Sequence, residues 1–218
     1  MIKNSLVLAV IGCSLVMTSQ AQAMAHKKKA AAPTENTVDA SVSQDALIQS
    51  YSAAASLIAQ AQEEFLLAYG MKDEAAALSE TAKVLGSGSS LNKKEIKTVS
   101  KQSKSADKAI AEKIDSGEEL NAEGKEHYVK ALGFYAQGLL ATQGMTNAAM
   151  AFPASALAQI ADAPMMAKAS MKSKLSVGTY VAKELPGYIS SLTKGFTKAV
   201  SYAKSAGIPV PDEAASLL

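Results

Sequence analysis

Five methionines, Met145, Met150, Met165, Met166 and Met171, form the densest group of soft ligand atoms in this chain. Thioethers select Cu(I) among the biological metals. Their spacings of 5, 15, 1 and 5 residues do not repeat, however, and no histidine falls among them. Methionine also fills irregular helical cores and lines adaptable apolar grooves. Core filling is the simplest reading. A groove for an apolar ligand or partner comes second, and copper third.

Lysine supplies the one directional pattern. Lys94, Lys97, Lys101, Lys104 and Lys108 recur at intervals of 3, 4, 3 and 4 residues, which places all five on one face of a helix. Such a stripe can rest against an anionic surface such as lipid headgroups, at about 1 kcal/mol per lysine. Its ordinary alternative is a solvated helix face. The stretch that follows is acidic, with Glu112, Asp115, Glu118, Glu119, Glu123 and Glu126. The two helices together would make a dipolar rod.

Catalytic and metal chemistry find little support. The chain has 2 histidines and 1 cysteine. His26 lies near the N-terminus. His127 has Glu123 one turn before it and Glu126 beside it, which could suggest an acid–base couple or a metal pair. A zinc site needs three or four ligands, so His127 is expected to be a boundary residue in a surface ion pair. No Ser, His and Asp set can be assembled. Gly86-Ser87-Gly88 lacks the strand and the Lys-Ser/Thr continuation of a phosphate loop. No catalytic, cofactor or metal residues are assigned, and an enzyme is not expected. There is no arginine, and the net charge is only +2. Bidentate phosphate recognition is therefore absent, and nucleic acid is not an expected partner.

These residues need elements to position them. Residues 1–23 read as a secretory signal peptide. Lys3 is its basic start, Leu6 to Met17 its apolar run, and Ala21-Gln22-Ala23 its cleavage site. Val10-Ile11-Gly12-Cys13 also fits a lipobox, so a lipoprotein anchored at Cys13 is the alternative. Either reading places the chain in the bacterial envelope, in the periplasm or secreted. Residues 24–42 read as a disordered tail with Lys27-Lys28-Lys29 and Pro33.

Residues 43–218 read as an all-α, antiparallel-type bundle of about five to seven helices. Leu47, Tyr51, Ala54, Ile58, Ala61, Phe65 and Ala68 keep a coiled-coil-like 4-3 spacing. Asp73 is expected to cap a second helix, carrying Ala75, Leu78, Ala82 and Leu85. Asn92 and Glu95 read as a capping box for a third, the lysine helix, with Ile96, Val99, Ser103, Ala106 and Ile110 inward. Ser116 and Glu119 read as the cap of a fourth, carrying Tyr128, Leu132, Tyr135 and Leu139. Gly124, Gly133 and Gly138 inside it suggest close helix packing. Pro153 and Pro164 are expected to open short helices, giving segments near 146–152, 154–162 and 164–175. A last helix near 177–206 should break or kink at Pro186. The function this supports is non-catalytic: holding an envelope protein or an apolar ligand, or else resting on a membrane through the lysine stripe.

Overall fold

The computed structural model describes residues 39–88 and 91–218. The expected signal peptide, Cys13 and most of the expected tail lie outside the described residues. The order of elements is α1 (Ala40–Ala68), α2 (Lys72–Gly86), α3 (Lys93–Asp115), α4 (Ala122–Gly144), α5 (Thr146–Asp162), α6 (Met165–Lys174), α7 (Ser176–Ser205) and the single turn α8 (Asp212–Ala215). Among the described residues there is no strand, so the all-helical class holds. None of these helices is long and apolar enough to cross a membrane.

α1 is the central helix. It packs against α2, α3, α4, α5 and α7. Its 4-3 stripe from Leu47 to Ala68 is buried throughout, and no residue from Ala54 to Tyr69 is exposed. A helix covered on nearly all sides needs small residues where neighbours approach, which explains its alanines. α1 starts at Ala40, so residues 40–42 belong to the helix and not to a tail. The Asp39 carboxylate accepts the Ser41 N–H at 2.8 Å, and buried Ala40 fixes this first turn. Gly70 ends the helix in a left-handed conformation at φ 71°. The Met71 N–H then reaches back to the Leu66 carbonyl at 2.9 Å, and Gly70 to Leu67 at 2.9 Å, a Schellman closure.

Two apolar clusters divide the interior. One gathers Ile58, Phe65, Tyr128, Leu132, Tyr135, Leu192 and Phe196 around α1, α4 and α7. The other gathers Leu47, Tyr51, Leu85, Ile96, Met145, Phe152 and Leu185 around α1, α5 and the start of α7. Two of the three helix-four glycines mark close approach. A Cβ at Gly124 would lie 2.6 Å from the Ala68 carbonyl, and one at Gly138 2.6 Å from Ile58 Cδ1. Gly133 has nothing within 4 Å, so packing does not explain it.

Several expected boundaries are corrected. Ser116 ends α3 instead of starting α4. The cap of α4 is Asn121, whose side chain accepts the Gly124 N–H at 2.7 Å. Asp73 is not a cap. It sits in the first turn of α2, where a negative charge favours the helix dipole. Pro153 does not open a helix, because α5 runs through it, and α7 runs unbroken through Pro186. In each case buried residues on both sides, Phe152 and Ala156 or Leu185 and Leu192, hold the segment in place. That burial offsets the lost backbone hydrogen bond.

Candidate functional site

The lysine stripe depends on how α3 begins. The Asn92 side chain accepts the Lys94 and Glu95 N–H groups at 2.8 and 3.1 Å, and the Glu95 carboxylate accepts the Asn92 N–H at 2.8 Å. The expected capping box therefore engages Glu95, one of two carboxylates in this basic stretch; the other is Asp107. Ile96, Ser103, Ala106 and Ile110 turn inward, and Lys94, Lys97, Lys101, Lys104 and Lys108 are all exposed. Among the described residues only Lys108 of the five has an ion pair, with exposed Glu112 at 3.8 Å. Lys97, together with Lys93, lies over the Tyr180 ring, at 5.6 and 5.2 Å from its centre. α3 packs on α1 and α7 and α4 on α1 and α7, so the two do not pair as the expected rod. The acidic stretch between them is partly compensated, since Glu118 meets Lys113 and Asp115 meets Lys198, each at 2.6 Å.

The five methionines are not brought together. Met145 is buried in the core, and Met171 is partly buried against it. Met150, Met165 and Met166 are exposed, the last two at 83% and 95%. Core filling thus holds for Met145 and in part for Met171. An open groove of about 530 Å³ runs between the start of α1 and α5, lined by Val42, Leu47, Ala148 and Phe152, and of the five methionines only Met145 reaches it.

Met165 and Met166 open α6, a helix with no buried residue, and Lys168, Lys172 and Lys174 follow them with no acidic residue between. Besides the partly buried Met171, α6 is tied at its end. Gln44 donates to the Lys174 carbonyl and accepts the Gly178 N–H, both at 2.9 Å. Tyr180 stands in the second turn of α7, just beyond that junction. Through Lys93 and Lys97 over its ring it links the start of α7 to the start of the lysine stripe. The exposure of Met165 and Met166 is not visible in the periodicity.

His127 does meet a carboxylate, but across helices. Its Nδ1 lies 2.6 Å from Glu64 on α1, not against Glu123 or Glu126. Among the described residues no three His, Cys, Asp or Glu side chains gather as metal ligands would.

A cavity of about 250 Å³ with a mixed polar and apolar lining lies between α3 and α7, with Tyr51 of α1 also on its wall. Asp107, Tyr180, Glu184, Tyr188 and Lys104 line it. Beneath it the amide of fully buried Gln62 reaches Asp107 Oδ1 at 2.6 Å, Ser103 Oγ at 2.8 Å and the Ser103 carbonyl at 3.1 Å. Among the described residues the Gln62 carbonyl oxygen has no hydrogen-bond partner. Burial pushes the Asp107 carboxyl up to about 6, against the pull of the Gln62 hydrogen bond. Burial also pushes the Tyr51 phenol up to about 12, and raises Tyr188 and Tyr135 well above their usual range. The Tyr51 and Tyr188 rings are 6.3 Å apart and tilted at 48°. The sequence analysis assigns Asp107 no role. The missed signal is Ser103, a polar residue inside an apolar stripe with Asp107 one turn later.

Compared with family descriptions, curated proteins and solved structures, the chain matches none.

Proposed function

We propose that this chain is a non-catalytic binding protein of the bacterial envelope, exported by residues 1–23 and docking on anionic lipid surfaces. The observation that carries the reading is α6, where two bare methionines precede three lysines. Met165 and Met166 stand in solvent at the tip of a helix whose only charges are lysines, and on α3 only Lys108 of the five stripe lysines has a carboxylate partner among the described residues. Exposed large apolar side chains ringed by cations suit the interface of an anionic bilayer, where methionine enters the acyl boundary and lysine stays with the headgroups. No helix among the described residues is long and apolar enough to cross the bilayer, so contact through an antiparallel-type bundle would be at its surface. Anchoring at Cys13 would add a second attachment to the same surface.

Co-sedimentation with phosphatidylglycerol vesicles tests this, with phosphatidylcholine vesicles as the neutral control. The wild type is expected to sediment with the anionic vesicles at low salt and to be released at 1 M salt, where the Debye length falls to about 3 Å. A variant carrying Lys94→Gln, Lys101→Gln and Lys172→Gln should bind roughly 100-fold more weakly, from about 1 kcal/mol per lysine. Equal binding by the two proteins, or none by the wild type, would overturn the reading. The weight would then return to an apolar ligand or partner protein in the groove beside Met145 and Phe152.

A further inference from the structure

We propose that the cavity between α3 and α7 binds a small organic ammonium cation, recognised by the rings of Tyr51, Tyr180 and Tyr188 and the carboxylates of Asp107 and Glu184. Three observations converge on this ligand class. Three tyrosines line one small space, and such rings attract an ammonium group electrostatically through their faces. Tyr180 already draws the ammonium groups of Lys93 and Lys97. Asp107 accepts a hydrogen bond from Gln62, yet among the described residues no cation lies within ion-pair distance of it. A half-buried carboxylate without a cation is costly to maintain. Lys104 lines the same cavity but is exposed and forms no such pair, and the adjacent Lys108 pairs with Glu112 instead. A cavity of about 250 Å³ is below the usual span of drug-sized pockets and suits a molecule the size of choline.

The chemistry fixes a pH dependence. Asp107 is faced by Gln62 and Tyr51 from α1, by Ser103 and Lys104 on its own helix, by Tyr135 from α4, and by Glu184 and Tyr188 from α7. The buried phenols stay neutral through the physiological range, so they do not titrate with the ligand. The ammonium group is held by the ionised form of Asp107, and binding should weaken as the pH falls below about 6.

Calorimetric titration with choline chloride at constant ionic strength tests the site, with 3,3-dimethylbutanol as its uncharged isostere. Saturable choline binding is expected, at least tenfold tighter than the isostere and weaker at pH 5 than at pH 7.5. Asp107→Asn should bind choline at least tenfold more weakly, and its binding should not depend on pH across that range. Glu184 is exposed, so Glu184→Gln serves as the variant whose folding is not at risk; it should bind several-fold more weakly. No saturable heat with choline, equal binding of the isostere, or unchanged binding in both variants would overturn the proposal. Vesicle binding is measured separately and does not depend on the result.

Discussion

Asp107 holds its proton more tightly in the folded chain than an ordinary aspartate does, and this has an energetic cost. Its carboxyl titrates near 6 in place of 3.8 because burial disfavours the charged form. Below both values the group is protonated folded or unfolded, and it contributes nothing. Between them the folded chain keeps a proton that the unfolded chain has released, so stability falls as the pH rises through that window. At neutral pH the cost is about 1–3 kcal/mol, from roughly 1.4 kcal/mol per unit. Asp107→Asn should therefore be more stable than the wild type at neutral pH and nearly equal to it around pH 4, as urea unfolding at the two pH values would show. The asparagine amide could also donate to the Gln62 oxygen that now lacks a partner. A stabilised variant that loses choline binding is the usual trade between stability and a functional group. This residue was not legible in the sequence. Helix periodicity tells which face a residue occupies, but Asp107 lies at the edge of the face, and only α1 and α7 determine that it is covered.

The apolar stripes were legible because their period is a property of one helix, and all of Tyr51, Ile58, Phe65, Leu132, Tyr135, Leu192 and Phe196 are buried as expected. Element ends were less so. Asn92 and Glu95 are a local pair and were read correctly. Continuity through Pro153 and Pro186 is decided by burial against other helices, which a local rule cannot see. The glycines of α4 separate these influences experimentally. Gly138→Ala must push aside Ile58 Cδ1 and Cγ1, at 2.6 and 2.9 Å, and should destabilise by about 1–3 kcal/mol. Gly133→Ala meets nothing within 4 Å and should stabilise by about 0.5–1 kcal/mol through helix propensity alone. Thermal unfolding of both variants measures the contrast. A stabilising Gly138→Ala would mean that α1 and α4 are not as close as described.

Across the whole molecule, charge and apolar exposure are unevenly placed. Lys168, Lys172 and Lys174 follow Met165 and Met166 along α6 and the five stripe lysines run along α3, while Asp115 and Glu118 stand where α3 ends. The lysine spacing was legible; the methionine tip was not, because exposure depends on what fails to pack there. Met165→Ser with Met166→Ser should leave low-salt capture by anionic vesicles largely intact. It should remove whatever attachment survives moderate salt, since apolar insertion is insensitive to screening. Unchanged salt resistance in flotation would show that the methionines stay out of the bilayer. The central place of α1 bears on how the chain reaches this shape. α1 is made early, but α4 and α7 close the core around it, and Gln44 is joined to Gly178 across 134 residues of sequence. Contacts that span so much chain are slow to form because the loop must close before they contribute. Until α7 docks, the inner faces of α1 and α4 remain open, so the nascent protein carries its stickiest surface first and its cover last.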